Sequence, residues 1–464
     1  MYHIHFTEPV FVHFIGIGGI SMSGLASILL KEGFRVSGSD VHESPLTRQL
    51  TAEGAHIHYG HRASNISSDV NVVVYTAAIK KDNPEIQEAL RLQIPLLTRA
   101  ELLGQLMKNY KTAIGVSGTH GKTTTTSMLT HILLEADTDP TISVGGILPS
   151  IGGNIRVGSS DLFVTESCEY TNSFLSFHPT MEIILNIKAD HLDFFKDLDD
   201  IRHSFRLFAE KLGPDGFLAI NSEIDQLEEF IKGLPCKIKT FGPDPDTSDY
   251  SAVHIAYNQL GCASYDLTRK TDSGYVILGT IHLGVPGLHN VYNSLSAIAV
   301  ALELGISMEQ IEKGLLSYTG TARRFQKKGE LNGVTIIDDY AHHPDEIEAT
   351  LNTAHNYPHR KIWCVFQPHT YTRTKALMDD FARALCLADE VVLADIYPAR
   401  ETDTLGISSR DLADKIQALG TTSHYFPSFE EIENFLLKNC INGDLLITMG
   451  AGDVVNIGES LLGL

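Results

Sequence analysis

The sequence predicts an α/β protein of three domains built on mostly parallel sheets. Three observations lead there. Strand-like apolar runs and amphipathic helical segments alternate from end to end, the pattern of doubly wound sheets. Two of the strands run straight into glycine-rich turns that open helices. The chain has 464 residues, more than one hydrophobic core supports, and suggests about three domains. The expected divisions are 1–107, 108–321 and 322–464.

The first segment opens with a strand over Val10–Ile15, the turn GIGGISMSG and a helix over Gly24–Glu32. A second strand, Arg35–Asp40, ends in an acid, and a strand over Val70–Tyr75 leads into Thr76 and Ala77. This is a Rossmann-like start. Gly16, Gly18 and Gly19 let the backbone approach a diphosphate at a helix N-terminus, and Asp40 is placed to meet a ribose or sugar hydroxyl. The fingerprint departs from G-x-G-x-x-G at its third glycine, where Ser21 stands. On these residues alone the turn suits a sugar nucleotide, a nicotinamide dinucleotide, or packing without a ligand.

The second segment is headed by a buried strand over Thr112–Val116, followed by Gly118-Thr-His-Gly-Lys-Thr-Thr124. Val116 stands in the first glycine's place of G-x-x-x-x-G-K-[ST], but the strand–turn–helix context is that of a phosphate loop. Backbone N–H groups of Gly118, Thr119, His120 and Gly121 can approach phosphates, with Thr124 just beyond. Lys122 can reach the β- and γ-phosphates, and the Thr123 hydroxyl can ligate Mg²⁺. ATP and Mg²⁺ are therefore the expected ligands. A strand over Asp161–Glu166 ends in a carboxylate, and one over Glu182–Ile187 runs into Asp190-His191-Leu-Asp193. Glu166 and His191 are candidate Mg²⁺ ligands. Taken alone, His191 reads better as a structural loop histidine, because imidazole is an uncommon Mg²⁺ ligand. His289, Asn290 and Asn293 precede the helix SLSAIAVALEL. They suit the edges of a purine, or Asn290 caps the helix.

The third segment opens with Arg323-Arg324-Phe325. Strands over Val334–Asp338 and Lys361–Phe366 run into Asp339-Tyr340-Ala-His342-His343 and Gln367-Pro-His369-Thr-Tyr-Thr-Arg373. Further strands cover Glu390–Ala394 and Asp444–Thr448. Polar and aromatic side chains again gather at strand C-terminal ends, where open α/β sheets bind ligands.

Thirty-six Lys and Arg against 57 Asp and Glu give a net charge of −21. Such a surface argues against nucleic acid or an anionic membrane as partner. Six scattered cysteines without a C-x-x-C pair read as free thiols in a reducing compartment. The N-terminus lacks a signal-peptide plan, and no apolar run reaches about 18 residues. A cytoplasmic protein without membrane insertion is expected, as monomer or homodimer.

These motifs together carry a resemblance. The Gly118–Thr124 loop, Glu166, Asp190-His191-Leu-Asp193, His289-Asn-x-x-Asn293 and Asp339-Tyr-Ala-His-His-Pro344 resemble, in this order and over nearly the whole chain, the Mur ligases of peptidoglycan precursor synthesis. Within that family, the stretches 13–25, 117–126, 366–373 and 448–453 look like the branch that adds L-alanine to UDP-N-acetylmuramate. The resemblance implies a UDP-binding first domain, with the glycine turn on the diphosphate and Gly16, Gly18, Gly19, Ser21, Asp40, Thr76 and Ala77 lining the sugar nucleotide. It implies a central MgATP domain and a C-terminal domain that brings the amino acid and closes over the site. Lys122 would stabilise the transferring phosphoryl group. Thr123 and Glu166 would hold one Mg²⁺, and His191 a second metal near the muramyl carboxylate. His289, Asn290 and Asn293 would contact adenine or its surroundings. Arg323 or Arg324, and Asp338 or Asp339, would reach ATP phosphate or ribose. Tyr340, His342, His369 and Arg373 would shape the amino-acid site, Arg373 meeting the alanine carboxylate, with His342 or His343 as general base. Thr370 departs from the Arg of some members. No lysine lies in 201–208, so the carbamylated lysine of several other branches is not expected.

Overall fold

In the computed structural model the described residues are all but Met1, Ala77, Asp193, Arg400 and Thr404. They fall into two compact units. The first comprises Met1–Ala189, Asp197–Thr240 and Ala299–Ile306, and the second Asp190–Lys196, Phe241–Ile298 and Ser307–Leu464.

In the first unit, β1 (Phe11–Ile15), β2 (Arg35–Asp40), β3 (His56–Tyr59), β4 (Val72–Tyr75) and β5 (Leu96–Thr98) form a parallel sheet ordered β3-β2-β1-β4-β5. Helices α1 (Ile20–Lys31), α2 (Pro45–Glu53), α3 (Pro84–Arg91) and α4 (Arg99–Met107) connect and follow these strands. Val72, Val73 and Val74 are fully buried, which is why the strand is continuously apolar rather than alternating. A second set, β6 (Thr112–Ser117), β7 (Thr141–Leu148), β8 (Gly153–Arg156), β9 (Leu162–Glu166), β10 (Met181–Ile184), β11 (Phe217–Asn221) and β12 (Lys237–Phe241), runs in the order β12-β11-β10-β6-β9-β7-β8. The pairs about β6 are parallel, and β7–β8 is antiparallel. Helix α5 (Lys122–Glu135) follows β6. β1 and β6 each lie where strand order reverses, so both glycine-rich turns leave from a topological switch point.

In the second unit, β13 (Tyr250–Tyr257), β14 (Cys262–Thr271) and β15 (Gly274–Pro286) make an antiparallel meander. A six-stranded sheet joins β16 (Gln326–Leu331), β17 (Val334–Asp339), β18 (Ile362–Phe366), β19 (Glu390–Leu393), β20 (Thr422–Tyr425) and β21 (Leu445–Met449) in the order β16-β17-β21-β18-β19-β20. Only β16 is antiparallel to its neighbour. Both faces are covered: Ile337, Cys364 and Ile447 pack on one side, Ile336, Trp363 and Leu446 on the other.

Four expectations shift. Helix α1 begins at Ile20, not Gly24, because Gly16 at φ +82° reverses the chain within four residues. The strand expected over Glu182–Ile187 ends at Ile184: Leu185 N–H still donates to Ser117 O of β6, and Asn186 then turns to the phosphate loop, taking the N–H groups of Thr119 and His120. The helix after Gly287 (φ +100°) begins at Leu288 and runs to Glu303, so Asn290 lies inside it rather than capping it. The strand β3 and the β13–β15 meander had no counterpart in the sequence pattern as read.

Candidate active site

The glycine turn of the first unit is built by its own backbone. The N–H groups of Gly16 and Ile17 donate to the Ser39 carbonyl at 2.8 and 3.0 Å. Gly18 N–H donates to Asp40 Oδ2 at 2.8 Å, and a Cβ on Gly18 would lie 2.9 Å from the same oxygen. Asp40 thus fixes the turn while keeping lone pairs for a further donor. Gly19 is exposed and precedes α1 without a side-chain cap, which leaves the first N–H groups of α1 open to an anion. Ser21 stands in that first turn. Thr76 follows β4 and accepts Ala78 N–H at 3.3 Å. Ala77 lies outside the described residues. Gly24 serves packing: a Cβ there would lie 1.7 Å from Ile155 Cδ1 of β8.

The phosphate loop leaves β6 with Gly118 at φ +139° and Gly121 at φ +86°, backbone that side chains rarely adopt. Gly121 precedes α5 and no side chain caps that helix. Asn186 clamps the loop, accepting His120 N–H at 2.9 Å and donating to His120 O at 3.1 Å. Thr119 is held by the Lys188 N–H, 2.9 Å from its hydroxyl. Lys122 Nζ lies 3.0 Å from Glu169 Oε2 and 3.1 Å from Thr119 O. Burial opposes its charge, but Glu169, Cys168 and Glu166 outweigh that and hold the ammonium above its ordinary pKa. Thr123 Oγ1 donates to Glu166 Oε2 at 3.1 Å. A Cβ on Gly145 would lie 2.7 Å from that same Glu166 oxygen, so the glycine keeps a space beside the carboxylate. A hydroxyl and a carboxylate so placed are hard oxygen donors, and they fit Mg²⁺.

The second unit gathers the remaining candidates. Asp190 Oδ1 accepts Arg373 Nη2 at 3.0 Å, and Asp190 Oδ2 lies 3.8 Å from His191 Nε2. Burial raises the Asp190 carboxyl, but Arg373, His191 and His343 together hold it well below the usual carboxylate range. Arg373 is therefore already paired on one edge, and its Nη1 lies 3.4 Å from His369 Nδ1. The His369 ring packs against His342 at 5.8 Å, and His342 against Tyr340 at 5.4 Å. Burial lowers the His342 pKa to about 4 despite Glu346 beside it, and lowers His369 as well. Both rings are neutral at pH 7. His343 accepts Asp345 N–H at the head of the helix Pro344–His355.

Arg323 and Arg324 divide their labour. Arg323 bonds Asp338 Oδ2 at 2.9 Å and the carbonyls of Gly450 and Gly452 at 2.7 and 3.1 Å. Asp338 is fully buried and takes Thr448 on its other oxygen at 2.8 Å. Arg324 lies 3.8 Å from Glu346 and over the Tyr340 ring. Asp339 accepts the N–H groups of Phe325 and Ala341, and burial raises it to about 6 against the pull of Arg324. His289 is exposed, whereas Asn290 and Asn293 are buried; Asn290 donates to Pro286 O at 2.7 Å and accepts Asn293 Nδ2 at 3.1 Å. Asp193 lies outside the described residues. Sequence reasoning missed Glu169, Asn186 and Glu346, whose partners are distant in sequence or lie on another turn of helix. The asparagine two residues beyond β10, at the level of the phosphate loop, was the one available signal.

Three family models match the chain: Mur ligase family, catalytic domain over 11–111; Mur ligase middle domain over 116–301; and Mur ligase, glutamate ligase domain over 323–452. The chain belongs to the Mur ligase family. It is 62% identical over 462 residues to the UDP-N-acetylmuramate–L-alanine ligase of Lachnospira eligens, covering 100% of both chains. Its fold is similar to the crystal structure of UDP-N-acetylmuramate–alanine ligase from Thermotoga maritima, with TM-score 0.79, 29% identity and 97% and 98% of the two chains covered. A murein peptide ligase from Psychrobacter arcticus has the same fold at TM-score 0.69 and 24% identity, over 98% of both chains.

Proposed function

We propose that this chain joins L-alanine to the lactyl carboxylate of UDP-N-acetylmuramate, consuming ATP and giving UDP-N-acetylmuramoyl-L-alanine, ADP and phosphate, a step in making the peptidoglycan precursor. The observation that carries it is the full-length match to a ligase of that name, on a chain that keeps Lys122, Thr123 and Glu166 together at the ends of β6 and β9.

The chemistry follows from charge. A carboxylate is a poor acyl donor, so its oxygen first attacks the γ-phosphorus of ATP, ADP leaves, and an acyl phosphate forms. Two anions meet in that step. Lys122 leaves Glu169 and meets the charge that develops on the phosphoryl oxygens. Thr123 and Glu166 would hold Mg²⁺, which when bound screens the repulsion between the two anions. Arg324 reaches the nucleotide, while Arg323 is held by Asp338 and the carbonyls of Gly450 and Gly452. Arg373 offers its remaining edge to the alanine carboxylate. The ammonium of alanine loses a proton to His342 or His343, and the amine attacks the acyl carbon as phosphate leaves. Neutral His342 and His369 add no like charge beside the ammonium. The glycine turn after β1 holds the diphosphate of the sugar nucleotide. We place this activity in the cytoplasm; no helix among the described residues is long and apolar enough to cross a membrane.

The test is phosphate release from ATP with Mg²⁺ and UDP-N-acetylmuramate, against L-alanine, glycine, L-serine and the tripeptide L-Ala-D-Glu-diaminopimelate. Release is expected with L-alanine and is lost at least about 10³-fold in Lys122→Ala, since it removes a charge matched to the transition state. Release with the tripeptide alone would make the chain a peptide-recycling ligase instead.

A further inference from the structure

Arg99 opens α4 and its Nη1 donates to Ser21 Oγ at 3.0 Å, at the start of α1. Among the described residues it has no carboxylate partner. Burial lowers its pKa, and the Cys168 thiol nearby is itself pushed up by burial and so stays uncharged, which leaves the guanidinium without a counter-charge there. That is unusual in a chain whose acids outnumber its cations by 57 to 36. A partly desolvated guanidinium without a counter-ion is costly. Its position makes the cost greater. Arg99 is the first residue of its own helix, at the positive end of the α4 dipole, and it reaches to the positive end of α1. The acid nearest in the same helix turn is engaged: Glu101 Oε2 takes the Thr98 N–H and hydroxyl in a capping box. The placement is also rigid. A Cβ on Gly104 would lie 1.9 Å from the carbonyl oxygen of Ser176, so α4 sits backbone to backbone against the segment after β9. Two helix N-termini and one uncompensated guanidinium thus converge beside an open glycine turn.

We propose that Arg99 is a substrate-binding residue that grips the diphosphate of the nucleotide sugar from the side opposite the Gly16–Gly19 backbone, with Ser21 aligning the guanidinium. The inference rests on the reading that this turn holds the diphosphate. A planar fork of donors suits two adjacent phosphate oxygens, and a lysine does not reproduce it.

The experiment is calorimetric titration of the full chain with UDP, UDP-N-acetylglucosamine, UDP-N-acetylmuramate and UMP, in the wild type, Arg99→Ala, Arg99→Lys and Gly18→Ala. Thermal melts confirm that each variant is folded. Arg99→Ala is expected to weaken the three diphosphate ligands alike, by about 10- to 100-fold, the range for a hydrogen bond to a charged group. UMP is expected to change much less, Arg99→Lys to recover part of the loss, and the KM for ATP to stay as in the wild type. A loss confined to UDP-N-acetylmuramate would overturn the assignment, because it would pair Arg99 with the lactyl carboxylate. Unchanged binding in Arg99→Ala with weakened binding in Gly18→Ala would overturn the role of Arg99 and leave the turn as the diphosphate site. Unchanged binding in both would remove the turn as well.

Discussion

Glu182 shows what a single buried group does to this enzyme's response to pH. It lies in β10, fully buried, paired with Gly115 of β6, the strand that leads into the phosphate loop. Its one hydrogen bond among the described residues comes from Ser117 Oγ at 3.4 Å, and its Oε2 is buried without a partner. Burial therefore raises its pKa well above the ordinary value. The sign follows. Above the unfolded pKa the unfolded chain has released this proton while the folded chain keeps it, so stability falls as pH rises from about 4.5 toward the folded value. Glu182→Met removes the titration and keeps the volume, and Ser117 still donates to Ile183 O at 2.9 Å. We expect Glu182→Met to melt higher than the wild type at pH 7.5, by about 2–4 °C for each kcal/mol recovered, with the gain shrinking toward pH 4.5. A gain that is constant with pH would show that packing rather than ionisation is responsible.

The helix α1 carries the glycine turn, and it is held by contacts outside its own sheet. Gly24 meets Ile155 of β8 at a distance that excludes a Cβ, and Lys31 Nζ bonds the carbonyls of Val157 and Gly158 at 2.9 and 2.8 Å. Gly24→Ala should overpack this contact and cost about 1–3 kcal/mol. Ile155→Ala in the same chain should restore much of it, because the two side chains compete for one space. Additive melting shifts in the double variant would refute the contact. This is also where the sequence was least informative. Parallel strands buried on both faces were legible as apolar runs ending in glycine or acid, and so were β1, β2, β6, β9 and β18 to within a residue or two. β3, His-Ile-His-Tyr, is half exposed and has no such run. Gly24 closes the glycine-rich stretch GIGGISMSG, yet it serves packing, and a packing glycine and a ligand-binding glycine are the same letter. In the site, Lys122, Thr123 and Glu166 follow from local order along single strands. Glu169 and Arg99 meet Lys122 and Ser21, partners far off in sequence that no local pattern specifies.

At the scale of the whole molecule the dominant quantity is the net charge of −21. Two of the proposed substrates are themselves polyanions, so they approach a protein that repels them at long range. The local field is opposite: Lys122, Arg99 and the first turns of α1 and α5 present positive charge where phosphate is to bind. Range decides which effect governs arrival. The screening length is about 30 Å at 0.01 M salt and about 8 Å at 0.15 M. At low salt an incoming ligand senses the whole molecule, and at physiological salt only the last few ångströms around the site. The association rate of UDP-N-acetylmuramate should therefore rise as salt increases from 0.01 to 0.15 M, the reverse of the usual behaviour of an oppositely charged pair. L-Alanine, a zwitterion without net charge, should associate at a rate nearly independent of salt. Stopped-flow binding of the sugar nucleotide across that range tests this. A rate that falls with salt would mean that the positive groups at the two turns dominate even at long range, and that the acidic surface has no part in setting how fast substrate arrives.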